Sequence, residues 1–159
     1  MTWDELVEYL ALTLYEVRER TFLIISSSRE RGGYVQFAGE TDRVDAEAAS
    51  ARFAPGIDES RLAAAGWDAP RPEAQDLHWS LTLPLPATLP QHREFAGRCV
   101  AALRDAHGVA SPEDLVYQAW RDPEPMPDGV DLQDEELAEL DPGKPRLVLP
   151  ELGLREEGR

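Results

Sequence analysis

The chain has 159 residues, of which 42% are hydrophobic and 30% are charged. This length suits one ordinary domain with a single core, and no apolar run approaches the roughly 20 residues that cross a bilayer. Thirty-one acidic and 16 basic residues give a formal net charge of -15. Because proteins bind polyphosphates and anionic lipids largely through Lys and Arg, this charge argues against nucleic acid and membranes as partners.

The first predicted element is an amphipathic helix that starts at a capping box. Thr2 can accept a hydrogen bond from the amide of Glu5, whose side chain can reach back to Thr2. We expect the helix to end near Arg18 to Arg20, where basic side chains complement the negative end of its dipole. Apolar residues at helical spacing form one stripe along it: Trp3, Leu6, Val7, Leu10, Leu14 and Val17.

Three strand-like runs follow the helix. Residues 21–26 are apolar at consecutive positions, which predicts a central strand shielded on both faces or by a partner chain. Residues 34–38 are rich in aromatic and β-branched side chains, and the turn 39–42 then leads into residues 43–48. The last run alternates strictly, so Val44, Ala46 and Ala48 should be buried and Arg43, Asp45 and Glu47 should face water.

A short helix and a fourth strand are predicted next. The helix over 58–65 ends at Gly66, a residue suited to the left-handed conformation just past a helix. Residues 77–85 alternate between apolar and polar side chains until Pro84, which cannot donate a ladder hydrogen bond. This pattern predicts a half-buried strand that ends at a sheet edge.

Two further helices are expected before residue 121. One runs from Pro90 to His107 and Gly108, and the other starts at the cap Ser111 and reaches Trp120. The sequence therefore predicts an α+β fold, in which helices pack on one face of an antiparallel four-stranded sheet. The predicted element order is α-β-β-β-α-β-α-α.

The composition changes from Asp122 onward, where prolines interrupt an acidic run. We therefore predict a domain over 1–121 and an acidic, proline-rich extension over 122–159 that lies outside a conventional core. Residues 147–149 are apolar enough to fold back over a groove or edge that a client would use. Leu132, Leu137 and Leu140 are expected to line a short helix.

No catalytic, cofactor or metal site is predicted. His78, His92 and His107 lie in separate elements without a metal-ligand spacing, and each is interpreted as structural. Cys99 is the only cysteine, which excludes an intrachain disulfide and favours a buried core residue. Met1 is followed by a polar helix start rather than a secretory signal, so we expect a cytoplasmic protein.

The polar side of the predicted sheet is the first candidate binding surface. If the apolar residues of 77–85 face the helices, their polar neighbours join Arg43, Asp45 and Glu47 on the other side. An ordinary solvated sheet face would have the same pattern. A second candidate is an exposed sheet edge, where a partner could add a strand. The candidate partner-binding residues are Tyr34, Gln36, Phe37, His78, Ser80 and Thr82.

Four stretches resemble the TY-Chap family, whose members are related to type III secretion chaperones and to YbjN-like proteins. They are Trp3 to Leu6, Phe22 to Ile25, Tyr34 to Ala38, and Leu62 to Trp67 followed by Pro70. The resemblance covers about residues 2–108. It implies a type III secretion chaperone-like fold and a non-catalytic domain that binds a protein or peptide client, commonly as a homodimer in the secretion chaperones.

Two other functions stay open at this point. An acidic inhibitor or immunity-type protein that neutralises a basic partner would fit the charge and the acidic residues 131–141. High salt should abolish such electrostatic binding but spare apolar or strand-addition binding. An enzyme is the third option, and it would need a deep pocket that holds His78 together with Asp45 or Glu47.

Overall fold

Residues 1–29, 32–127, 129 and 133–158 are described by the computed structural model. None of the helices in these ranges is long and apolar enough to cross a membrane. In chain order, the helices and strands are α1 (Trp3–Tyr15), β1 (Thr21–Ser27), β2 (Tyr34–Gly39), β3 (Arg43–Ala48), α2 (Glu59–Ala64), β4 (Trp79–Pro84), α3 (Leu89–Ala101), β5 (Leu115–Arg121), α4 (Asp134–Glu139) and β6 (Arg155–Glu156).

The strands form one six-stranded sheet in the order β4-β3-β2-β1-β5-β6. Neighbours are antiparallel except β5 and β6, which are parallel. The α+β class is therefore confirmed, whereas the four-stranded antiparallel sheet is corrected to a mixed sheet with two more strands. The first seven predicted elements, from α1 to α3 and including the strand β4, are present in the expected order.

The fourth helix predicted over 111–120 is wrong. Ser111 does cap a turn, since its Oγ accepts from the amide of Glu113 at 3.3 Å, but the turn ends after Asp114. The chain then extends as β5 and pairs with all seven residues of β1. Strand formation satisfies the backbone of β1, which would otherwise be an unpaired edge beside the core. Alternate residues of β5 point to the core: Leu115, Tyr117 and Ala119.

The helices α1 and α3 pack against each other over one face of the sheet. The predicted capping box of α1 is present, with the Glu5 amide 3.1 Å from Thr2 Oγ1 and the Thr2 amide 2.7 Å from Glu5 Oε2. The helix ends at Tyr15, before the basic residues expected to close it, and Arg20 has a positive φ of 62° at the turn into β1. Fully buried side chains fill the space between the layers: Leu6, Leu10, Leu23, Ile25, Val35, Val44, Val100 and Leu103.

The prediction of a central β1 is confirmed, but its two faces differ. Leu23 and Ile25 are buried in the core, whereas Phe22 and Ile24 on the other face are only half-buried. The shielding predicted from the apolar run is therefore complete on the core face and only partial on the other face. The face opposite α1 and α3 is called the open face below.

The C-terminal extension contributes to the core, contrary to expectation. Leu152 is fully buried. Leu147 and Leu149, which belong to the segment predicted to fold back, pack against the core. Pro123, Pro142 and Pro145 break up helix and strand without preventing an extended chain from packing. The helix α4 matches the predicted short helix, although Leu132 lies outside the described residues. The division of the chain at residue 121 stays a prediction.

An ionic cluster fastens the extension to the sheet. The Asp141 carboxylate accepts from Arg121 Nε at 2.7 Å, from Arg20 at 3.2 Å and from the Gly143 amide at 3.0 Å. The Arg121 hydrogen bond, followed by the Gly143 amide, holds the pKa of Asp141 well below its usual range. This group, called the Asp141 cluster, therefore stays charged at any pH near neutrality.

Candidate peptide-binding face

Strand register determines which side chains share the open face. Directly opposed residues of antiparallel strands project to the same side of a sheet. One row across the open face consists of Trp120, Phe22, Ala38, Asp45 and Thr82, and the next consists of Gln118, Ile24, Gln36, Glu47 and Ser80. The open face is thus apolar at β1 and β5 and polar toward β4.

Three side chains form an apolar patch on this face: Phe22, Ile24 and Trp120. The rings of Phe22 and Trp120 stack with their centroids 5.4 Å apart and their planes 18° apart. A shallow depression of about 360 Å³ lies over the patch and extends to Gln36 and Ala38. Stacked rings of this kind present a large and rigid apolar surface.

An acidic rim of Glu40, Asp45 and Glu47 borders the same depression. Gln36 donates to Glu47 at 2.7 Å, and Thr82 donates to Asp45 at 2.9 Å. These contacts fix the carboxylates beside the apolar patch without neutralising them. Arg43 is the basic side chain of this region, and it is already shared between Asp42 and Asp45, each at 2.9 Å. The rim therefore carries negative charge.

The structure brings five of the six predicted partner-binding residues to this side of the sheet. Gln36, Ser80 and Thr82 lie in the rows described above. His78 precedes β4, and its Nε2 lies 3.3 Å from the hydroxyl of Tyr34. Burial, followed by the charge of Glu47, raises the pKa of Tyr34, so its hydroxyl stays protonated at neutral pH.

Phe37 is the exception among the predicted residues. It lies on the core face of β2, where its side chain is 3% exposed and its ring meets that of Phe95 at a centroid distance of 6.4 Å. Adjacent residues of a strand point to opposite faces, so the side chain of Phe37 points away from that of Gln36. Phe37 also lines the depression on the open face, but with 3% of its surface exposed it offers a partner very little contact.

The apolar patch was missed in the sequence for two reasons. Phe22 and Ile24 belong to a continuous apolar run, which predicts a strand shielded on both faces or by a partner chain. Trp120 fell within the predicted fourth helix, so its place beside Phe22 could not be seen. Phe22 and Trp120 are paired across the sheet only because β5 is a strand. A pattern of period two in Leu115, Tyr117 and Ala119 was the available signal.

Both edges of the sheet are already occupied in part by other segments of the chain. The backbone of Ser80 in β4 is already bonded in both directions to Asp68, at 2.9 and 3.0 Å. Pro84, two pairs further along the same edge, has no amide to donate. Between Ser80 and Pro84, the backbone of Thr82 is the remaining position that faces this outer edge. The outer edge of β5 is lined by the C-terminal extension.

The described residues contain no group of three or more His, Cys, Asp or Glu that could hold a metal ion. His92 is buried and its Nδ1 lies 2.9 Å from the carbonyl of Thr88. His107 Nε2 lies 3.1 Å from the carbonyl of Ala49, and burial lowers the pKa of this imidazole. Burial raises the pKa of the Cys99 thiol, so this thiol is a poor nucleophile. His78 does not line the depression that Asp45 and Glu47 border.

Comparison with protein families identifies this architecture. A family model described as T3SS (YopN, CesT) and YbjN peptide-binding chaperone 3, or TY-Chap3, matches residues 1–121. The chain belongs to the TY-Chap3 family. The TY-Chap3 match confirms the resemblance drawn from the sequence and extends it from residue 108 through β5. No curated protein and no solved structure matches the chain.

Membership in the TY-Chap3 family associates the chain with a chaperone-type, peptide-binding function. The part matched by the TY-Chap3 model contains every residue of the apolar patch and of the acidic rim. It ends at Arg121, which is also the last residue of β5.

Proposed function

We propose that this protein is a non-catalytic, cytoplasmic chaperone that holds a segment of a client protein on its open face. The observation that carries the proposal is the apolar patch of Phe22, Ile24 and Trp120, which lies on the outward side of a sheet within a peptide-binding family. Stacked aromatic side chains with few rotatable bonds lose little conformational freedom when a partner covers them. They are also the residue types that dominate binding energy at interfaces.

The acidic rim specifies the chemistry of the client segment. The acidic rim places negative charge beside the apolar patch, and the whole chain has a net charge of -15. A segment that carries aromatic or aliphatic side chains next to Lys or Arg complements both features. A second copy of this chain would oppose one acidic rim to another, which like-charge repulsion disfavours. The open face therefore serves a different protein rather than a homodimer.

The experiment starts from affinity purification with the full chain as bait. The bound client is identified, its protected segment is synthesised, and the dissociation constant is measured at low and high salt. We expect affinity to fall with salt but to persist at high salt, because the apolar patch is insensitive to screening. Complete loss of binding at high salt would instead favour the acidic inhibitor.

A paired variant tests the acidic rim. Asp45→Asn with Glu47→Gln should slow association severalfold at low salt and flatten the salt dependence, since rim charges act mainly on the encounter rate. Glu135→Gln with Glu139→Gln removes the same charge from exposed positions of α4 and should change neither property. Equal behaviour of the two double variants would exclude the acidic rim from client binding.

A further inference from the structure

The outer edge of β5 is occupied by residues 144–157, called the tail segment. Arg121 and Lys144 exchange two backbone hydrogen bonds of 2.8 Å. The Leu147 amide donates to the Ala119 carbonyl at 2.8 Å, and the Glu157 amide donates to the Tyr117 carbonyl at 2.7 Å. The tail segment therefore satisfies the edge of β5 as an added strand would.

The pairing is sparser than that of an integral strand. Pro145 and Pro150 have no amide to donate, and the Leu149 amide binds the Tyr117 hydroxyl at 2.8 Å instead of a backbone carbonyl. Only two residues of the tail segment, Arg155 and Glu156, form a continuous ladder with β5. The tail segment thus resembles a docked extended peptide more than a sixth structural strand.

Leucine side chains also hold the tail segment against the domain. Leu147 and Leu149 are half-buried, whereas Val148 between them is 55% exposed, as alternation in an extended chain requires. Leu147 and Leu149 line a groove of about 570 Å³ together with Leu12 and Val17. Leu152 then enters the core completely. The anchors are therefore aliphatic residues at the first, third and sixth positions of a short stretch.

We propose that the outer edge of β5 is a strand-addition site, that the tail segment is its resident occupant, and that an extended client segment with aliphatic residues at the spacing of Leu147, Leu149 and Leu152 enters by displacing it. This inference depends on the proposed peptide-binding function and adds to the open face a second site, which takes an extended aliphatic segment. Two observations support displacement. The family match ends with β5, so the tail segment is additional to the matched domain. The linker 122–127 is exposed throughout, and the attachment point at Asp141 is ionic.

A nicked protein tests whether the tail segment exchanges. A protease site replaces residues 124–127 in the full chain, and cleavage leaves the extension bound without a covalent tether. A fluorescent peptide that copies residues 139–158 is then added in excess. We expect saturable incorporation of the peptide, reversed by the same peptide without label. A peptide with Leu147→Asp and Leu149→Asp should fail to enter.

A reversible lock provides the control. Val116 and Arg155 are partners in the parallel pair of β5 and β6, so Val116→Cys with Arg155→Cys places two thiols within disulfide reach. The native Cys99 is fully buried and does not compete for oxidation. The oxidised lock should block peptide incorporation, and reduction should restore it. In the uncut chain, the oxidised lock should also weaken binding of an aliphatic client segment at least tenfold.

Three results would overturn the inference. The nicked protein could stay folded by circular dichroism without taking up the peptide, or it could unfold. The third result is equal uptake of the peptide by the oxidised and the reduced lock. Since the peptide copies the tail segment itself, none of these results depends on whether the open face binds clients. An aliphatic client segment that binds the oxidised and reduced uncut chains equally would also contradict the displacement step.

Discussion

Replacing Trp120 with alanine should weaken client binding by about 2 kcal/mol or more, which is roughly a 30-fold increase in the dissociation constant. The indole is the largest side chain of the apolar patch, and it stacks on Phe22 to form one rigid surface. Its removal takes away contact area and frees the Phe22 ring. The measurement is a titration of the identified client segment by calorimetry or fluorescence anisotropy.

Tyr15→Ala is the matched control for Trp120→Ala. Tyr15 is an aromatic residue of α1 that is 53% exposed, and its ring contacts His92 on the helical side of the molecule. Its loss should leave the dissociation constant within about twofold, the scatter expected for a residue outside the contact surface. If Tyr15→Ala impaired binding and Trp120→Ala did not, the client would bind on the helical side.

Replacing Phe37 with alanine should lower the free energy of unfolding by about 3–5 kcal/mol. The ring is 3% exposed and lies against Phe95, so its loss leaves a cavity between the sheet and α3. Chemical denaturation with urea, followed by tryptophan fluorescence, measures the change. At a temperature where the variant remains folded, client affinity should be unchanged, because Phe37 faces away from the open face.

The neighbouring substitution Gln36→Ala is the control for Phe37→Ala. Gln36 is one residue away but on the open face, where it donates to Glu47. Its replacement should change the free energy of unfolding by less than about 1 kcal/mol, as is usual for surface positions. Comparable destabilisation by the two substitutions would show that the register of β2 differs from the one described.

Local patterns predicted much of the fold because the decisive information lies within a few residues. The capping box at Thr2, the alternation of Arg43 to Ala48 and the left-handed Gly66 each specify a local geometry, and each is present. The strand β5 was not predicted, because Leu115, Val116, Ala119 and Trp120 also fit one side of a helix. Only the need to pair the edge of β1 decides between the two, and that need is a tertiary effect.

The candidate site was harder to predict than the fold. An apolar run gives the same pattern whether its second face meets a helix, a partner or solvent, so the sequence does not show that Phe22 and Ile24 are only half-buried. Phe37 is predicted as a partner-binding residue together with Tyr34 and Gln36, but the alternation of β2 places it with Val35 in the core. The docking of Leu152 in the core was likewise invisible, since a proline-rich acidic segment has the composition of a linker.

Site-specific photo-crosslinking tests the location of the client most directly. A photoreactive residue at Gln118 would lie on the open face beside Ile24, whereas one at Glu94 would lie on the exposed side of α3. We expect the purified client segment to crosslink from position 118 and not from position 94. Crosslinking from position 94 alone, with the client still bound, would contradict the assignment of the open face as the binding surface.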